Sequence, residues 1–208
     1  MNAYYTATNE SLDAIVAGLD LKLKDDVLAV CGSGDQAFAM LEYAREVVAV
    51  DVREEQVGFA KRRVESLKQG DFDHFLSPDE HFPFSARYEI KARNDYFQKA
   101  PDRLPKIRSK IPRLKILRVA IEDAFDLMKF NKIYLSNAIP NYLGVKSFVS
   151  AAKSVAKNGL IYVAHSYYVE RIPDSGVCID QQLTDKARLI SHTNPPRGWN
   201  PGVFRKTG

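Results

Sequence analysis

The sequence predicts an α/β domain: a mainly parallel sheet with helices on both faces. Three observations predict it. Strand-like and helix-like segments alternate along most of the 208 residues, the pattern of a parallel sheet with crossover helices. Two short runs, VLAV (27–30) and VVAV (47–50), are apolar at every position, as strands covered on both faces are. A glycine-rich turn, Gly32-Ser33-Gly34, follows the first run directly, and an acid, Asp51, ends the second.

The elements follow in order. Residues 9–19 (NESLDAIVAGL) read as an amphipathic helix that Asn9 or Ser11 caps. VLAV is the first strand, 35–44 a helix, VVAV the second strand, and Arg53 to Lys68 a long charged helix. LKILRVA (114–120) is the third strand, KIYLS (132–136) the fourth, 143–157 a helix, and GLIYVAH (159–165) the fifth strand. In the tail, RLIS (188–191) and GVFRK (202–206) read as antiparallel edge strands. Between Gly70 and Arg113 the alternation stops, and five prolines (Pro78, Pro83, Pro101, Pro105, Pro112) break the segment into short helical pieces. This segment reads as an insertion packed over the carboxyl edge of the sheet, within a single domain spanning 1–208.

Composition narrows the class. A hydrophobic fraction of 45% and a charged fraction of 27% are those of a globular chain. No run reaches the ~20 apolar residues of a membrane-spanning helix, and the N-terminus lacks the pattern of a secretion signal. Two cysteines, Cys31 and Cys178, with Cys31 inside the glycine turn, point to a reducing cytoplasm. The four histidines are scattered, so no metal site is expected. Net charge is +4, yet residues 85–118 carry eleven basic against three acidic side chains, a local +8. Three readings stand for that segment: solvated helix faces, contact with an anionic membrane, and phosphate contacts to nucleic acid with Tyr88, Tyr96 and Phe97 stacking on bases.

Ligands of open α/β sheets bind outside the carboxyl ends of the strands, where the strand order reverses. Gly32, Ser33 and Gly34 stand at such an end, where glycine lets a backbone approach a ligand. Asp51 is placed to accept hydrogen bonds from a ribose diol. The run Gly32-x-Gly34-x-x-Ala37, with Asp51 seventeen residues beyond Gly34, also fits a dinucleotide fingerprint; the plain alternative is a tight strand-to-helix turn that binds nothing. Two features favour S-adenosylmethionine (SAM) over a nicotinamide cofactor. A long charged helix follows Asp51, and an acid pair, Glu122 and Asp123, follows the third strand, where a SAM domain holds the adenine amino group. The order of elements over about 10–165 resembles the Rossmann-like class I SAM-dependent methyltransferase fold.

A narrower resemblance rests on three stretches. Asp51-Val-Arg-Glu-Glu-Gln56, its helix and the turn Asp71-Phe72-Asp73-His74-Phe75-Leu76 are similar to the S-adenosylmethionine:diacylglycerol 3-amino-3-carboxypropyltransferase (BtaA-like) family. So are Leu135-Ser136-Asn137 and the N-terminal YYTATNESLDAI. The family is usually longer and carries D-x-N-P-x-Q where this chain has DVREEQ. The resemblance implies transfer of the 3-amino-3-carboxypropyl group of SAM to a small-molecule or lipid-like acceptor. The alternatives are a conventional methyltransferase on a small molecule or RNA, and a SAM-binding module without catalysis. The cofactor set on this reading is Gly32, Ser33, Gly34, Asp51, Val52, Gln56, Glu122, Asp123, Ser136 and Asn137. The catalytic set is Asn137, Tyr142 and His165, with His165 a general base or a structural group at a strand end. Ser136 and Asn137 either face the acceptor or cap the following loop. Tyr4, Tyr5 and Tyr142 are candidates to close the pocket. Thr193-Asn194-Pro195-Pro196-Arg197-Gly198-Trp199 resembles the NPPY/W signature of amino-group methyltransferases but lies after the wrong strand; it reads as a rigid turn over the pocket, anchored by Trp199.

Overall fold

The computed structural model describes residues 5–77, 87–137, 144–169, 176–194, 196 and 198–207. Seven strands form one sheet in the order β3-β2-β1-β4-β5-β7-β6. These are β1 (Asp26–Val30), β2 (Glu46–Asp51), β3 (Leu114–Arg118), β4 (Lys132–Tyr134), β5 (Leu160–Val163), β6 (Val177–Ile179) and β7 (Gly202–Lys206). The first five pair in parallel, and β7 runs antiparallel between β5 and β6. The order reverses between β1 and β4, so the carboxyl ends of β1, β2 and β4 diverge around one crevice.

Side chains alternate across the central strands, and both faces are buried. On one face, Val27, Ala29, Val47 and Ala49 meet α1 (Leu12–Gly18), α2 (Asp35–Leu41), α3 (Glu54–Gln69) and α9 (Gln181–Thr193). On the other, Leu28, Val48 and Val50 meet α7 (Ile121–Ala124) and α8 (Gly144–Ser154). The short α4 (Phe72–Leu76), α5 (Arg87–Gln98) and α6 (Arg103–Lys110) extend the first layer, with Phe75, Phe97 and Ile107 buried in it. Ser11 caps α1 by accepting from the Ala14 amide at 3.3 Å, one of the two caps expected there.

Three expectations are corrected. RLIS is not an edge strand; it lies inside α9, which Asp180 caps by accepting from the Leu183 amide at 3.1 Å. Its Leu-Ile pair mimics a strand only in a short window. A strand absent from the sequence reading, β6, takes the outer edge instead. The segment after Gly70 packs beside α1, α2 and α3 and reaches the N-terminal segment through Arg93 instead of covering the main cavity, which none of its described residues lines.

The basic excess of 85–118 is largely spent on internal partners. Arg103 and Lys106 pair with Glu42, Lys115 with Glu46, Arg118 with Glu54 and Lys91 with Asp95. Arg93 is 1% exposed, with its guanidinium donating to the Thr6 and Leu76 carbonyls. No helix among the described residues is long and apolar enough to cross a membrane.

Candidate functional site

The main cavity opens at the switch point. Its sheet wall comes from the ends of β1 and β2 (Val30, Gly32, Ser33, Val50, Asp51) and from Val119 and Ile121 beyond β3. Ser136 and Asn137 beyond β4 complete it, with Val52 and Gln56 also in the lining.

Gly32 takes a left-handed φ of 50°, and a Cβ built on it would meet nothing within 4 Å. The backbone there is an open cradle, bare of side chain. Gly34 is also left-handed (φ 84°) but has a different task. It precedes α2, lies outside the cavity lining, and its Cβ would stand 3.0 Å from Phe38 and 3.2 Å from Ala60. Asp51 accepts from the Arg53 amide at 2.9 Å and from the Gly32 amide at 3.3 Å, which fixes its carboxylate against the cradle. Burial raises its pKa, and those backbone hydrogen bonds work against the rise.

Glu122 and Asp123 do not line this cavity. They follow β3 as expected, but on α7, where Glu122 accepts from Ser147 Oγ at 2.6 Å and Asp123 is exposed. The wall beyond β3 is apolar instead, built from Val119 and Ile121. Gln56 touches the cavity from a fully buried position as a clamp. Its amide nitrogen donates to the carbonyls of Gly32 and Tyr5, and its oxygen accepts from the Tyr5 amide at 2.7 Å. His165 lies outside the lining, its ring 4.9 Å from that of Trp199, so the structural reading of His165 is the one its surroundings favour. Tyr4, Tyr142, Pro195 and Arg197 lie outside the described residues. Trp199 donates from Nε1 to the Asn9 carbonyl.

The opposite wall is the N-terminal segment, where Tyr5, Ala7, Thr8 and Asn9 line the cavity. Sequence reasoning did not find what holds it. Asp35, fully buried, accepts from the Thr8 amide at 2.8 Å, from Ser33 Oγ at 2.7 Å and from Arg63 at 2.6 Å. Arg63 also donates to the Ser33 carbonyl and lies over the Phe75 ring at 4.3 Å. Gln36 donates to Thr8 Oγ1 at 2.8 Å. Ser136 is a non-glycine residue at φ 56°, a conformation rare enough to mark a site that the surroundings impose.

No family profile and no curated protein matches the sequence. Solved structures do share its fold. An rRNA methylase from Streptococcus thermophilus superposes with a TM-score of 0.53 at 11% identity, over 95% of each chain. A tRNA (m1A58) methyltransferase from Aquifex aeolicus gives 0.54 at 12%, over all of this chain and 73% of that one. A SAM-dependent O-methyltransferase from Thermotoga maritima gives 0.52 at 12%, over 95% of this chain and 64% of that one. The architecture is the Rossmann-like class I SAM-dependent methyltransferase fold.

Proposed function

We propose that this chain is a SAM-dependent methyltransferase acting on a small molecule or RNA. The observation that carries the reading is the cavity at the switch point, where the bare left-handed Gly32 adjoins an anchored carboxylate, Asp51, and an apolar wall. Those features suit the parts of SAM in turn. The Gly32–Ser33 backbone would approach the amino-acid end, Asp51 would accept from the ribose diol, and Val119 and Ile121 would flank the adenine. Bound SAM supplies an activated methyl group on a sulfonium. Ser136 and Asn137 stand where the acceptor would meet it, and their work is positioning, which supplies much of the rate in a displacement.

Methyl transfer is preferred to aminocarboxypropyl transfer on two grounds. The three structural neighbours described above are methyltransferases or methylases by name. The residues behind the narrower resemblance have structural employment here: Gln56 clamps Tyr5 to Gly32, Asp71 caps α4, and Phe75 is core. A lipid acceptor or membrane contact gains no support from the basic segment, whose cations are mostly paired internally.

Product analysis tests the reading. After incubation with SAM and an acceptor panel of small molecules and RNA, S-adenosylhomocysteine is the expected nucleoside product. 5′-Methylthioadenosine would establish aminocarboxypropyl transfer instead. Neither product, with SAM bound tightly, would make the chain a binding module.

A further inference from the structure

The N-terminal wall ends in a buried carboxylate that the proposed chemistry has not used. Glu10 is 1% exposed and directly precedes the cap of α1. Its Oε1 accepts from Tyr134 Oη at 2.8 Å and from Ser136 Oγ. Its Oε2 is buried without a hydrogen-bond partner. A carboxylate held dry with one oxygen unsatisfied is unfavourable when ionised, and such a group beside a cleft marks a functional site.

The surrounding charges do not relieve it. Tyr134 from β4 and Tyr162 from β5 are held protonated by burial. Arg93 from α5 spends its guanidinium on carbonyl groups, and Asp35 from α2 is already matched by Arg63. Asp13 on α1 and Lys99, which line a smaller cavity with Glu10, lie 3.8 Å apart and face each other. Among the described residues Glu10 has no ion pair. Burial therefore pushes its carboxyl up to about 7, against the hydrogen bonds from Ser136 and Tyr134.

We propose that Glu10 is the residue that reads the positive charge of the sulfonium, so that the cavity holds SAM more tightly than its neutral product S-adenosylhomocysteine. This rests on the SAM reading given above. The link is Ser136, which lines the main cavity, is fixed in a left-handed conformation and touches Glu10 through its hydroxyl. Glu10 is a positioning and specificity residue, one hydrogen bond behind the cavity wall. A cation placed beyond Ser136 favours the ionised carboxylate, so SAM binding expels the Glu10 proton to solvent. Loss of the methyl group removes the positive charge, Glu10 takes a proton back, and the product is held less tightly.

Isothermal titration calorimetry at pH 7, in two buffers of different ionisation enthalpy, tests this with SAM and S-adenosylhomocysteine as separate ligands. Protonation changes common to both ligands cancel in the comparison. With Glu10 near its midpoint, SAM is expected to release up to about half a proton more than S-adenosylhomocysteine. In Glu10→Gln that difference vanishes and the preference for SAM falls about tenfold or more; Glu10→Asp restores part of both. Equal proton release by the two ligands on the wild type overturns the proposal, whether or not the variants fold. An unchanged preference in a folded Glu10→Gln overturns it as well. Absence of binding by both ligands overturns the SAM reading and this proposal together, whereas binding without the proton difference removes only the proposal.

Discussion

The two walls of the main cavity are built on different principles. The sheet wall stands at the carboxyl ends of β1, β2, β3 and β4, where Val30, Val50 and Asp51 sit in the strand ladders and the other lining residues follow directly beyond them. The facing wall, Tyr5 to Glu10, carries no helix or strand. It is held by clamps from five elsewhere-rooted side chains: Gln56 on Tyr5, Arg93 on Thr6, Asp35 and Gln36 on Thr8, and Trp199 on Asn9. The first wall is local and periodic; the second is a set of long-range polar bonds.

The sharpest way to break this contrast is at the clamp's root. Arg63→Ala leaves Asp35 charged and unpaired in the core, a loss of about 3–5 kcal/mol for a broken buried pair. Urea unfolding measures it, and a loss below about 1 kcal/mol would show that the segment does not depend on this pair.

Glu10→Gln is expected to act in the opposite direction, and only at high pH. The folded-state pKa of Glu10 lies at about 7, above the unfolded value of 4.5. Between those values the folded chain keeps a proton that the unfolded chain has lost, so wild-type stability falls as pH rises across the window. Above pH 8 the penalty is complete, at about 3 kcal/mol, and Gln does not incur it. Thermal melts should show the variant more stable at pH 8 and equal to the wild type at pH 4. Identical melting curves at both pH values would show that Glu10 is not held in a costly ionised state.

The two glycines separate fold from site within one turn. Gly34→Ala should destabilise by more than the ~1–2 kcal/mol of a left-handed non-glycine residue, because its Cβ also meets Phe38 and Ala60. Gly32→Ala has open space around it, so its stability loss should stay within that range while SAM affinity drops. Equal effects of both on stability and affinity would erase the distinction. Smallest of all, His165→Ala should lose no more than about 1 kcal/mol of ring contact with Trp199 and leave SAM affinity unchanged. A large loss of transfer activity would return His165 to the catalytic set.

The same contrast explains what could be read from the sequence. VLAV, VVAV, the turn at Gly32 and the acid at Asp51 were legible because strand burial and the strand-to-helix turn are written in adjacent residues. The succession of the first five strands along the chain followed from the alternation. Glu10 was not legible: its partners Tyr134 and Ser136 lie more than 120 residues away, and nothing near it in sequence marks it. Glu122 and Asp123 were placed after the right strand but one helical turn settles their side chains toward Ser147 and solvent. The basic run between 85 and 118 misled because composition counts charges, whereas Glu42, Glu46 and Glu54, outside the run in sequence, pair with four of its cations.

Calorimetric titration of SAM into the wild type and Asp51→Ala puts the cofactor assignment to the question in one experiment. Asp51 is anchored by backbone amides rather than by the core, so the variant should fold. One molecule of SAM should bind each wild-type chain, and Asp51→Ala should weaken that binding about tenfold or more, the loss of hydrogen bonds to a charged acceptor. Unchanged affinity in the folded variant would contradict the placement of SAM at the β1–β2 edge.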